Sequence, residues 1–151
     1  MVSWKALKFD ELSNNELFDL LKLRVDVFVV EQTCPYPELD EKDRHPETRH
    51  LLGIQNDELV ACARLLPAGL SYPNVSIGRV ATCKSFRGKG AGKRLMSEAI
   101  RQCELLWPHQ SIEIGAQEYL KDFYESFGFV ATSTMYLEDD IPHIDMKKSA
   151  E

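Results

Sequence analysis

The sequence contains no apolar run long enough to cross a bilayer. Its first residues, Met1-Val2-Ser3-Trp4-Lys5, lack the apolar stretch of a secretory signal. A cytoplasmic chain with no membrane partner is expected. A basic excess is missing too: 18 Lys and Arg stand against 24 Asp and Glu, a net charge of −6. Nucleic-acid binders usually carry the opposite balance, so no nucleic-acid partner is expected. Cysteine is sparse, with four residues and no C-x-x-C pair, and the four histidines show no metal-ligand spacing. Neither a metal nor a disulfide is expected. Cys62 and Cys103 fall in apolar periodic segments and read as reduced core residues. Repeats, low-complexity tracts and linkers are absent, so residues 1–151 read as one domain.

What is present is ordinary globular material, 44% apolar, which is enough for a core. A first strand is expected over residues 3–9. Ser13, Asn14 and Asn15 signal a helix start before Leu17, Leu20, Leu21 and Phe28. The β-branched Val25, Val27, Val29 and Val30 weaken the last turns of that helix, and residues 33–37 end it. An acidic loop follows, with Glu38, Asp40, Glu41 and Asp43. Strands are expected over 50–55, 59–66 and 75–82. An amphipathic helix over 90–107 is stopped by Pro108. Then come a strand over 111–116, a short helix over 119–127 ended by Gly128, and strands over 129–137 and 141–147. The fold class is mixed α/β (α+β), an antiparallel run followed by strand-helix-strand-helix-strand.

The most informative stretch is Arg87-Gly88-Lys89-Gly90-Ala91-Gly92-Lys93, where a strand meets a helix. Glycines let the backbone approach a ligand closely. The first amides of a helix have no intrahelical partner, and the dipole favours an anion there. Arg87, Lys89 and Lys93 add charge to the same spot, so the turn reads as a pyrophosphate cradle. It fits neither the P-loop, because Arg94 occupies the Ser/Thr place, nor the dinucleotide fingerprint, which needs a glycine where Lys93 stands.

The turn does resemble the GNAT signature [QR]-x-x-G-x-[GA], as Arg87-x-x-Gly90-x-Gly92. The second half is similar to that superfamily as well, with Ile112 to Ala116 followed by Phe123-Tyr124-Glu125-Ser126-Phe127-Gly128-Phe129. Residues 28–36, 116–120 and 138–146 resemble the ElaA-like subfamily. The resemblance implies a GNAT-like acyl-CoA N-acyltransferase fold, with a central mostly antiparallel mixed sheet flanked by helices. It implies N-acetyl transfer from acetyl-CoA to an amine by direct attack, with no metal. The pyrophosphate would sit on residues 87–93 and the pantetheine arm on Val80, Ala81 and Thr82. The N–H near Val80 would then face the thioester oxygen. Tyr124 matches the tyrosine that family members place by the sulfur, and a phenol with a pKa of about 10 can donate to the leaving thiolate.

An amine with a pKa near 10.4 must lose a proton before it attacks. Some relatives place a glutamate early in the strand before the cradle; Ser76 stands there and cannot serve. Glu31, Glu113 and His143 remain, or an ordered water, with His143 ranked first for its pH range. Arg24, Arg64 and Arg79 lie in apolar segments, so they call for carboxylate partners, and Glu38, Asp40 and Asp43 are candidates. They either pin the acidic loop or form an acceptor pocket for a charged substrate, in which Glu31 and Arg79 would be substrate-binding. The same residues resemble acyl-homoserine lactone synthases, which acylate S-adenosylmethionine. A non-catalytic coenzyme A-binding sensor also stands as a reading. The acceptor, a small-molecule or peptide amine, is not named by the residues, and a homodimer is compatible with them.

Overall fold

Two helices clasp a twisted sheet from opposite sides in the computed structural model, which describes residues 1–150. The strands are β1 (Ser3–Leu7), β2 (Arg49–Gln55), β3 (Glu58–Leu66), β4 (Val75–Thr82), β5 (Ile112–Gln117), β6 (Val130–Ala131), β7 (Tyr136–Glu138) and β8 (Ile141–Lys148). The helices are α1 (Asn14–Val25), α2 (Ala91–Leu106) and α3 (Lys121–Glu125). The sheet runs β1-β2-β3-β4-β5-β8-β6, with β7 also on β8. Among the described residues, only β4 and β5 pair in parallel.

Alternation along the strands explains the two packed faces. Leu51, Ala61, Ala63, Val75 and Ile77 face α2, where Leu95, Met96, Ala99 and Cys103 form the apolar stripe. Leu52, Cys62 and Ala81 face α1 and meet Leu20, Leu23 and Val27. Full burial of a side chain such as Leu20 or Leu95 contributes roughly 1.5–3 kcal/mol. The four cysteines are free thiols, with Cys62 and Cys103 in the core. No helix among the described residues is long and apolar enough to cross a membrane.

Helix α1 begins with a capping box. The Ser13 hydroxyl accepts from the Glu16 amide at 3.1 Å, and the Glu16 carboxylate accepts from the Ser13 amide at 2.9 Å. The valine-rich end does not fray. It widens into a π segment, Asp26–Glu31, in which the Gln32 amide bonds to Val27 and the Cys34 amide to Val29. The strand expected over 129–137 divides into β6 and β7. The Thr132 amide still donates to the Asp145 carbonyl in register with β6, but the Asp145 amide donates to the Ser133 hydroxyl, so the backbone ladder stops there.

Candidate active site

Strands β4 and β5 are joined at two positions only, Val75–Ile112 and Ser76–Glu113. Beyond Ser76 they splay, and both freed edges line a cleft of about 880 Å³. A bulge sits in the middle of β4. The register jumps between Arg64–Gly78 and Cys62–Ala81, and Arg79 adopts a positive φ of 51°. Arg79 and Val80 therefore have no ladder partner opposite, and both line the cleft, with Ala81 and Thr82 beyond them.

At the end of β4 the chain makes the glycine-rich turn. Gly88, Lys89 and Gly90 all hold positive φ, at 89°, 53° and 77°, and Gly90 caps α2. The amides of Gly88, Lys89, Gly90, Gly92 and Lys93 have no partner among the described residues, whereas those of Arg87 and Ala91 are taken by the Lys84 and Gly88 carbonyls. Five free donors at a helix N-terminus make an anion site. A second hollow of about 360 Å³ lies outside the turn, lined by Phe86, Arg87, Lys89 and Arg94.

Tyr124 stands on α3 where β5 leaves the cleft. Its ring packs edge-on against Phe123 and Phe129, at 5.2 and 6.1 Å. The side chain is buried, lines the cleft and leaves its hydroxyl without a partner. Burial, with a small contribution from Tyr119, pushes the phenol up to about 12. His143 lines the same cleft from β8, opposite Gln117. Its Nδ1 contacts the Ile141 carbonyl at 2.7 Å, its ring stacks on Tyr136 at 6.0 Å, and its Nε2 faces Glu138 at 3.6 Å. With Nδ1 donating, Nε2 is the acceptor nitrogen.

Residues 19–150 match the acetyltransferase (GNAT) domain family. Protein ElaA of Escherichia coli (strain K12) is 45% identical over 148 residues, which cover 98% of this chain and 97% of ElaA. The chain belongs to the GNAT acetyltransferase family. Its fold superposes on an acyl-CoA N-acyltransferase from Pseudomonas aeruginosa with a TM-score of 0.94 at 41% identity, covering 99% of this chain and all of that one. Escherichia coli ElaA gives 0.92 at 44%, with the same coverage. The protein is thus an acyltransferase of ElaA-like type, on a fold that binds acyl-CoA.

The remaining wall of this GNAT cleft is an ion-pair network. Arg24 donates to Glu38 at 2.5 Å and to Asp43 at 2.8 and 3.2 Å. Arg64 holds Asp40 at 2.7 Å and Asp43 at 3.0 Å, and Arg79 holds Glu38 at 2.9 Å. The Tyr36 hydroxyl donates to Glu38, and its ring lies 5.8 Å from the Arg79 guanidinium. Three cations meet three anions, so the set is neutral and pins the acidic loop to the sheet. Glu31 and Arg79 line the cleft, but both are already paired, Glu31 with Arg87 at 2.8 Å.

Of the other polar groups at the cleft, Ser76 was read in the sequence, and the Tyr72, Tyr136 and Asp145 cluster was not. Ser76 is buried at the fork with its hydroxyl unpartnered. Tyr72 and Tyr136 both donate to Asp145 Oδ1, at 2.9 and 2.7 Å. Gly115 makes room for them, since a Cβ there would come within 2.8 Å of the Tyr72 hydroxyl. Glycine inside an otherwise alternating strand was the available signal.

Proposed function

We propose that this chain moves the acetyl group of acetyl-CoA to a primary amine by direct attack in a ternary complex. The observation that carries the reading is a turn of five free amides directly after β4, which meets the cleft of the splayed β4–β5 edges at Arg87 and Gly92. The first suits a diphosphate and the second an extended amide-bearing arm. The cradle residues fit the group: Gly88 and Gly90 have open space where a Cβ would stand, and Lys89 and Lys93 lie beside the free amides.

The roles follow from position. The Gly88–Lys93 turn holds the diphosphate, and residues Val80 to Thr82 hold the arm. The amide at the Arg79–Val80 bulge is the donor for the oxygen that gains charge as the amine attacks. Tyr124 stays protonated because its pKa is raised, and its free hydroxyl delivers a proton to the departing thiolate. His143 Nε2 takes the proton lost by the amine, directly or through a water, with Glu138 alongside. Arg24, Arg64 and Arg79 satisfy one another's partners, which supports a structural role for them and an amine acceptor over S-adenosylmethionine. Residues 1–151 act as one domain, and four free thiols suit the reducing cytoplasm.

An acceptor screen tests this: purified protein, acetyl-CoA and a panel of primary amines, read by free-thiol release with mass analysis of the product. Acetylated amine that disappears in Tyr124→Phe and His143→Gln supports the assignment. Cofactor binding without release across the panel overturns it in favour of a sensor.

A further inference from the structure

Among the described residues, Arg87 alone lines both the cleft between β4 and β5 and the hollow outside the cradle. Its guanidinium lies across the end of β4, where Nε and Nη2 donate to the Thr82 carbonyl at 3.2 and 2.8 Å. Nη1 reaches over to Glu31 Oε2 at 2.8 Å. The pair therefore straps the π segment that follows α1 to the cradle, at the residue that borders both spaces. The Arg87 side chain is 37% exposed and that of Glu31 31%, so both are within reach of an arriving ligand.

We propose that the Arg87–Glu31 pair is a latch coupling the two substrates. The diphosphate of acyl-CoA draws Arg87 off Glu31, and the freed carboxylate then receives the ammonium form of the incoming amine. The inference rests on the cradle reading given above. A diphosphate held by five amides offers the planar fork of Arg87 a stronger anion than one carboxylate. Glu31, once released, is an unpaired carboxylate on the cleft wall. Its neighbour Gln32 accepts a hydrogen bond from Gln117 at 3.4 Å, and Gln117 lies opposite His143 in the β5–β8 pair. An acceptor ammonium held at Glu31 is thus on the side of the cleft that carries the base.

The sign of one substitution separates this from a carboxylate that merely orients Arg87. If Glu31 competes with the diphosphate, Glu31→Gln binds coenzyme A more tightly, by about threefold, the size expected of a part-exposed ion pair. Arg87→Met binds it more weakly, and adding Glu31→Gln to Arg87→Met changes nothing further. Calorimetry with coenzyme A measures all four proteins. The acceptor half is read with n-butylammonium chloride by saturation-transfer NMR. Saturating coenzyme A tightens its binding to the wild type about threefold and leaves Glu31→Gln unaffected, because coupling is reciprocal. Equal or weaker coenzyme A binding by Glu31→Gln overturns the latch and leaves the cradle standing, as does ammonium binding indifferent to coenzyme A. A wild type that does not bind coenzyme A overturns the cradle and the latch together.

Discussion

Arg24 donates from Nε to Glu38 Oε2 at 2.5 Å, and only 1% and 2% of the two side chains meet solvent. Burial works against the charge of Arg24, but its bonds to Asp43 and Glu38 outweigh that and hold its pKa above the ordinary arginine value. Removing one partner strands the others. Arg24→Met leaves Glu38 and Asp43 sharing Arg64 and Arg79, and is expected to destabilise the fold by about 3–5 kcal/mol. Urea unfolding at neutral pH measures it. A cost under 1 kcal/mol would mean the network does not pin the acidic loop.

The same network sets the acid response. Burial pushes Asp43 up, but Arg24 outweighs it and brings the carboxyl down from 3.8 to about 2. A depressed folded pKa contributes stability above the unfolded value and loses it as pH falls, here between about pH 4 and 2. The amount is about 2 kcal/mol. His50 lies beneath, with Nε2 on the Asp43 carbonyl at 2.9 Å and Nδ1 unpartnered. Burial lowers its pKa below 6.5 despite the nearby Asp43 carboxylate. The unfolded state then binds the proton first, so stability starts to fall below about pH 6.5. Two descents are expected in a plot of unfolding free energy against pH, and His50→Gln should remove the upper one. An unchanged upper descent in that variant contradicts the assignment.

The parts legible in the sequence were those written in local pattern. Strand β4 was readable to its ends because Val75, Ile77 and Ala81 alternate with smaller or polar residues before the glycines. The cradle was readable because glycines and cations share seven positions. The helical run through Phe28, ended by residues 33–37, was legible, but the widening was not: the valine-rich stretch stays helical as a π segment, which keeps Val27 in the core and Glu31 on the cleft. Residues 129–137 look like one strand, but backbone pairing with β8 reaches only Thr132, and at Ser133 a side-chain hydroxyl takes the Asp145 amide in its place. The Tyr72–Asp145 contact spans 73 positions, and nothing local announces it. That Arg24, Arg64 and Arg79 needed partners was visible from their apolar surroundings; which carboxylate each would take depended on the fold.

Gly90 tests the cradle. A Cβ there meets no atom, so the obstacle is its φ of 77° and whatever occupies the anion site. Gly69 has a comparable φ of 88° and equally open surroundings, in the β3–β4 connection, outside the glycine-rich turn and not itself in the cleft lining. Gly90→Val and Gly69→Val should lose similar stability, on the order of 1–3 kcal/mol. Only Gly90→Val should weaken acetyl-CoA binding, by about tenfold or more if two amides are lost to the diphosphate. Calorimetry beside thermal unfolding separates the effects. Equal affinity of both variants and the wild type would remove the turn from the cofactor site.

Tyr124 is the sharpest test of the chemistry, because its hydroxyl has no structural partner to confuse the result. The ring is held by Phe123 and Phe129, and Tyr124→Phe keeps it. Removing a hydroxyl that has no partner and opens on the cleft should leave the melting temperature about unchanged. Acetyl-CoA affinity should barely move, since the phenol is assigned to the leaving sulfur and not to ground-state binding. Turnover should fall at the low end of the roughly 10²–10⁴-fold range of general acid help, as a thiolate is a tolerable leaving group. With its pKa pushed up to about 12, Tyr124 stays protonated throughout the usable pH range, so the loss should be the same at pH 7 and pH 9. Single-turnover kinetics with the acceptor found in the screen would isolate the chemical step. An unchanged rate there, in a variant as stable as the wild type, would return Tyr124 to packing and leave the thiolate to be protonated by water.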